Sequence, residues 1–190
     1  MDEASRVGGE GRPAQMTDAQ DVYARRTFGE VTPGQGSLSR EEVDALLREP
    51  LVAALATTDD DGYPYQVPIW IDWDGTDIWL ITRGKSAFMA HIAARPRVSI
   101  LRLEGLEGAP ANTRVLLLGD AEIVAGPEPL VPGELMHEVA LRLAVHYQGA
   151  EIATGYIERT RDWARYLVRI HPVRISSWAH HDWHPRYRTP

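Results

Sequence analysis

Five consecutive residues, Thr82-Arg83-Gly84-Lys85-Ser86, bring together the groups that a phosphate monoester needs. Thr82 and Ser86 offer hydroxyl donors, Arg83 and Lys85 add two cations, and Gly84 lets a ligand approach the backbone. The run joins a strand-like segment ending at Thr82 to a helical pattern from about Lys85 to Ala94. A helix starting there would add free backbone N–H groups and the positive end of its dipole. An ordinary capped helix start with solvated cations would use the same residues.

The strand Tyr65-Gln66-Val67-Pro68-Ile69-Trp70 is a second candidate. Alternation puts Gln66, Pro68 and Trp70 on one face and Tyr65, Val67 and Ile69 on the other. A flat aromatic cofactor wants an apolar wall and a backbone edge for its polar ring atoms, and this strand offers both. An aromatic-rich core strand would have the same composition. The third candidate is the C-terminal stretch from Trp178 to Arg188, with Trp178, Trp183, His184, Arg186 and Tyr187. It suits a lid over a cofactor or a terminus docked at a dimer seam. His180, His181, Asp182 and His184 match no spacing with a closed metal geometry, so no metal site is expected there. His91, His137, His146 and His171 read as surface or helix-face histidines. There is no nucleophile elbow, P-loop or paired-carboxylate pattern, and no catalytic side chain is singled out.

The elements that must position these residues follow from periodicity and punctuation. Ser39-Arg40-Glu41-Glu42 has the form of a capping box. Val43, Leu46 and Leu47 then lie on one helical face until Pro50. Strand-like runs at Leu51–Thr58, Tyr63–Trp73 and Ile78–Thr82 are separated by Asp59-Asp60-Asp61-Gly62 and Asp74-Gly75-Thr76-Asp77, which predicts an antiparallel meander. Pro64 and Pro68 predict a bend or an edge in the second run. The Lys85–Ala94 helix turns Phe88 and Ile92 inward. Further strands are expected at Val98–Leu103, at Arg114–Val124 with a bulge or close approach at Gly119, and at Tyr166–Trp178 with a kink at Pro172. Glu134–Tyr147 reads as an amphipathic helix with an apolar stripe of Leu135, Val139, Ala140, Leu143 and Tyr147. About six strands with three helices make an α+β chain, whose antiparallel sheet is expected to avoid exposed edges by closing into a barrel. No βαβ rhythm or glycine-rich fingerprint supports a Rossmann domain.

Composition sets the limits. The chain has 190 residues, 44% of them hydrophobic and 25% charged, with a formal net charge of -7. That excess of acid argues against a nucleic-acid partner, while leaving room for one local basic pocket. With no cysteine, thiolate nucleophiles, disulfides and iron–sulfur clusters are excluded. No apolar run approaches the roughly 20 residues needed to span a bilayer, and the first residues lack a signal-peptide pattern. A cytoplasmic protein without a membrane partner is expected. Residues 1–36, poor in large apolar groups, read as a flexible tail or an arm crossing a partner, and 37–190 as the folded domain.

In order and spacing these pieces resemble the flavin-binding split-barrel proteins related to pyridoxamine 5'-phosphate oxidase. The resemblance covers about residues 39–125 and, more loosely, the final strand and tail. It is carried by Leu46–Thr58, Asp61-Gly62-Tyr63-Pro64, Val67-Pro68-Ile69-Trp70, Asp74-Gly75, the strand ending at Thr82, His91–Val98 and Gly119-Asp120-Ala121-Glu122. It implies an α+β six-stranded split β-barrel and a homodimer with cofactor sites at the subunit interface. It implies FMN as cofactor, with F420 or haem as alternatives, and an oxidoreductase acting on a small molecule, the alternative being an F420-dependent reductase or a non-catalytic flavin- or haem-binding protein. The phosphate would sit at Thr82, Arg83, Lys85 and Ser86, and the flavin ring along Gln66, Val67, Pro68 and Trp70. The partner's late residues, corresponding to Trp178, Trp183 and Arg186, would lie nearby. Many relatives carry a lysine where Phe88 stands here, with Arg83 or Lys85 available to compensate. The basic motifs of a true pyridoxamine-phosphate oxidase are absent, which points away from pyridoxamine phosphate as the substrate.

Overall fold

The computed structural model describes residues 35–36, 38–103 and 113–180. The expectations placed on residues 1–34 and 181–190, including Trp183 and Arg186, fall outside them. Gln35–Gly36, at the end of the tail, forms a short strand β1 against His180 and Ala179. Helix α1 (Arg40–Arg48) starts with the expected capping box. The Ser39 N–H donates to Glu42 Oε2 at 2.7 Å, and the Glu42 N–H donates to Ser39 Oγ at 3.2 Å. Its buried face is Val43, Leu46 and Leu47.

The meander follows as β2 (Ala53–Thr58), β3 (Pro64–Ile69), β4 (Asp72–Trp73) and β5 (Ile78–Arg83). Each tight turn is closed by an aspartate that accepts backbone N–H groups. Asp59 Oδ1 takes those of Asp61 and Tyr63, and Asp74 Oδ1 takes those of Thr76 and Asp77. The expected Tyr63–Trp73 strand is two strands, because the chain turns a corner at Trp70 and Ile71. After β5 come α2 (Phe88–Ala94), β6 (Arg97–Leu103), β7 (Arg114–Glu128), α3 (Leu135–Gln148), α4 (Ala150–Thr160) and β8 (Arg165–His180). Phe88 and Ile92 are buried as expected.

Three expectations about the helices need correction. There are four among the described residues, since α4 was not foreseen. Helix α2 starts at Phe88 rather than Lys85, so Lys85 and Ser86 lie in a turn held by Ser86 N–H donating to Arg83 O at 3.0 Å. In α3, Leu135 is exposed and Met136 takes its place in the core.

Six strands of at least six residues run antiparallel in the order β3-β2-β6-β7-β8-β5, with the two-residue β4 beyond β5. The sheet does not close. Its two ends, β3 and β4, are joined by chain through Trp70 and Ile71 but share no ladder. Pro64 and Pro68 put the expected edge at β3, because proline has no N–H to give a neighbour. The split therefore falls where the sequence weakens pairing. At the predicted close approach, a Cβ on Gly119 would lie 2.6 Å from His171 O, and the β7–β8 register slips beside it at Val173.

Two apolar clusters fill the molecule. One lies inside the curved sheet under α1 and α2, with Leu55, Ile71, Ile78, Leu80, Ile100, Leu117 and Ile170 fully buried. The other packs α3 and α4 against the split through Met136, Val139, Leu143, Ala153, Ile157 and Leu167. Each such Leu, Ile, Val or Met side chain contributes about 1.5–3 kcal/mol by leaving water. No helix among the described residues is long and apolar enough to cross a membrane.

Candidate functional site

The split leaves a cavity of about 470 Å³, within the range of small-molecule sites. One wall is the end of β3 and its corner, Val67, Pro68, Ile69 and Trp70. The facing wall is the end of β5 and the following turn, with Ile81, Thr82, Arg83 and Ser86. Strand β4 pairs with β5 only at Ile78 and Trp79, so beyond them no ladder stands between the β3 and β5 walls. Helices α3 and α4 supply an apolar floor through Ala140, Leu143 and Ile157, and Tyr156 adds an aromatic ring. The cavity thus joins the two segments singled out from the sequence.

The Trp70 corner is fixed by a buried hydrogen-bond centre. Tyr147 stacks its ring on Trp70 at 4.8 Å and an interplanar angle of 4°. Its Oη accepts from the Ile71 N–H at 3.1 Å and from Arg102 Nη1 at 3.2 Å, and donates to Leu51 O at 3.0 Å. Arg102, 0% exposed, also donates to Leu51 O and to Leu47 O in the last turn of α1. The Leu47 carbonyl lies at the negative end of the helix, which suits a guanidinium. Arg102 is thus the strut under the β3 wall, and nothing local in the sequence marked it.

At the other wall, Thr82 is 8% exposed and its hydroxyl meets that of Ser86 at 2.6 Å. Arg83 is exposed at the rim and makes no ion pair among the described residues. Gly84 serves a different purpose from the one expected. A Cβ there would lie 3.2 Å from both Cβ and O of Ala164, and its N–H donates to Ala164 O at 2.7 Å. The glycine lets the turn pack against the start of β8, and it does not line the cavity. Lys85 is exposed and does not line the cavity.

Gln66 also stands outside it. It faces a neighbouring hollow of about 340 Å³, which shares Val52, Val67 and Pro68 with the first. Trp178 sits near the far end of β8, roughly 40 Å of strand beyond Arg165, with the Arg114 guanidinium 5.9 Å from its ring. The described histidines do not gather at the cavity. His91 Nδ1 bonds Thr57 Oγ1 at 3.0 Å, and His171 Nδ1 pairs with Asp77 at 2.8 Å. Among the described residues no three His, Asp or Glu side chains are grouped to hold a metal.

Arg165 is the lining residue that sequence reading passed over. It is 6% exposed at the first position of β8. With Arg83 it makes the polar end of the cavity cationic, and among the described residues no aspartate or glutamate lines the cavity. An apolar slot with a basic, acid-free end and two hydroxyls fits a planar ligand carrying a phosphate. The residues present therefore suit a phosphorylated flavin or deazaflavin.

No curated protein matches the chain. Among solved structures, the conserved hypothetical protein Rv2991 from Mycobacterium tuberculosis is similar at 25% identity and a TM-score of 0.64, over 85% of this chain and 94% of that one. An F420 reductase is similar at 25% identity and a TM-score of 0.53, over 70% and 94%. The haem storage protein HutZ from Vibrio cholerae, at 21% identity and a TM-score of 0.54 over 71% and 91%, shares the fold. The family model described as pyridoxamine 5'-phosphate oxidase matches residues 39–179, and the chain belongs to that family.

Proposed function

We propose that this protein is an FMN-dependent oxidoreductase acting on a small organic molecule. The observation that carries the reading is the cavity that joins an apolar β3 wall to a basic end, with no acidic lining among the described residues. Arg83, Thr82 and Ser86 would hold the phosphate, and Val67, Pro68 and Trp70 would flank the ring. FMN, when bound, supplies the hydride or electron transfer. The chain's part is to bind, orient and exclude water, for which the Tyr147–Arg102 strut and the α3–α4 floor provide a rigid frame.

F420 is the second reading, favoured by the likeness to an F420 reductase over 94% of that chain. Its acidic tail would run out past Arg83 toward the exposed Lys85. A homodimer belongs to either reading. Ala54, Leu101 and Leu116 stand opposite one another in register on β2, β6 and β7, all only half-buried. Exposed Val52 and Leu103 flank them, making an apolar sheet face that a second copy would cover. The second copy's late residues, from Trp178 onward, would then come to the cavity from outside.

Visible absorption of the purified protein separates the cofactors, since flavin, F420 and haem have distinct bands. Titration with FMN is expected to quench flavin fluorescence. A colourless protein that quenches neither FMN nor F420 would overturn the reading. Light scattering is expected to give twice the chain mass, and a monomer would remove the dimer.

A further inference from the structure

We propose that a second hollow, on the outer face of the sheet, binds a small α-amino acid with an apolar side chain. The hollow has a volume of about 470 Å³ and shares no lining residue with the cavity at the split. Its Thr58, Arg97 and Asp120 stand four residues along β2, β6 and β7 from Ala54, Leu101 and Leu116, roughly 13 Å of strand away. What binds at the split therefore does not bear on it.

Local sequence builds the hollow. On β6, Val98 and Ile100 are buried, so Arg97 and Ser99 leave from the opposite, outer face. Ser99 stands in register with Ala56 on β2 and Leu118 on β7. Ala56 is small and Gly119 has no side chain, and both line the hollow, so the surface is recessed there. Val173 is the extra residue where the β7–β8 register slips beside Gly119, and it lines the hollow too. A bulge bends its strand and re-aims the side chains beside it, and bulges gather next to functional sites.

The charges call for a ligand of a particular kind. Arg97 and Asp120 are direct ladder partners of opposite sign, placed to pair across the strands. Yet among the described residues neither side chain makes a hydrogen bond or an ion pair. Asp120 has His171 as its partner on the other side, but His171 Nδ1 is taken by Asp77 at 2.8 Å. A guanidinium and a carboxylate held side by side at one hollow, and not spent on each other, match a molecule that carries both complementary charges. An α-amino acid has them on one carbon. Its carboxylate would take the Arg97 fork and the Ser99 hydroxyl, and its ammonium the Asp120 carboxylate. Its side chain would then lie against Pro64, Leu118 and Val173. A ligand with one charge would leave one of the protein's two unmet. The hollow therefore selects the zwitterion over its amide or N-acyl derivative.

The test titrates the full chain with L-leucine by calorimetry, beside leucinamide, which lacks the carboxylate, and N-acetyl-L-leucine, which lacks the ammonium. L-leucine is expected to bind saturably at millimolar concentration or below. Each derivative should bind about 10-fold more weakly or worse, as loss of one charge-assisted contact implies. Arg97→Gln should weaken L-leucine by the same factor and remove its advantage over leucinamide only. Asp120→Asn should weaken it likewise and remove its advantage over N-acetyl-L-leucine only. Both residues are exposed, so neither change disturbs the core. No saturable binding of L-leucine, or equal losses for all three compounds in either variant, would overturn the proposal. So would a mass that falls from dimer to monomer in both variants, because the pair would then serve the contact between copies.

Discussion

Replacing Tyr147 by Phe removes one oxygen from the centre that holds the β3–β4 corner. The ring remains, so its stacking on Trp70 at 4.8 Å is kept and the change isolates the hydroxyl. What is lost is the acceptor for the Ile71 N–H, 3.1 Å away, in a residue only 1% exposed. Leu51 O keeps a donor in Arg102, so the orphaned group is the Ile71 amide. An unsatisfied buried donor costs about 1–3 kcal/mol, and the weakened hold on the Arg102 cation adds to the upper half of that range. We therefore expect a loss of about 2 kcal/mol, seen as a fall of about 4–8 °C in Tm for a domain of this size. Urea unfolding followed by tryptophan fluorescence measures it, with the slope m unchanged because the folded core is the same. A loss under about 0.5 kcal/mol would refute the reasoning. It would mean that water reaches the Ile71 amide and that the corner is not the dry strut described.

Three other outcomes are expected. Gly119→Ala places a Cβ 2.6 Å from His171 O and 2.7 Å from Ile170 Cγ2, and should cost about 1–3 kcal/mol in the same assay. Burial works against ionised Asp74, but bonds from the Asp77 N–H, the Trp79 ring N–H and the Thr76 N–H outweigh it and hold its pKa below the usual value. A lowered folded pKa gives stability that is present above the unfolded aspartate value of about 3.9 and lost as pH falls through the folded one. The gap between wild type and Asp74→Asn in urea should thus be open near neutral pH and narrow in acid; a gap independent of pH contradicts this. Without ligand, Arg165→Met should leave stability level or raised, because it removes a cation opposite Arg83. Arg102→Met should lower stability by about 1–3 kcal/mol, because it orphans Leu47 O. Equal losses would contradict the distinction between the two arginines.

That distinction also marks where sequence reasoning stops. The strands, the aspartate turns, the capping box and the Gly119 approach were legible because each is a short-range pattern with a local physical cause. Helix α4 was not, since Gly155, Thr154 and Ile152 give it poor intrinsic propensity. It forms because Ala153 and Ile157 are buried against α3. The late start of α2 has a distant cause as well. Gly84 is tied to Ala164, so the turn closes on itself before the helix begins. The candidate segments Val67–Trp70 and Thr82–Ser86 could be named separately, but their meeting depends on a barrel split at β3 and β4.

Buried arginines are the hardest case, because side-chain type does not reveal what oxygens will surround it. Among the described residues Arg102 and Arg165 both lack a carboxylate, and each leaves its Nε unpartnered. An orphaned Nε alone therefore does not signal a ligand. Arg102 sits in the closed core, where Leu51 O, Leu47 O and Tyr147 Oη surround its two terminal nitrogens. Its acceptors come from three separate parts of the fold, and it needs nothing from outside. Arg165 has its acceptors in one residue, the Thr160 hydroxyl at 2.7 Å and the Thr160 carbonyl at 3.5 Å, and stands beside an open cavity with another cation as its ladder partner. The same residue type thus braces one wall of the site and leaves charge unmet at the other. What separates support from recognition here is whether the protein's own oxygens complete the shell around the guanidinium.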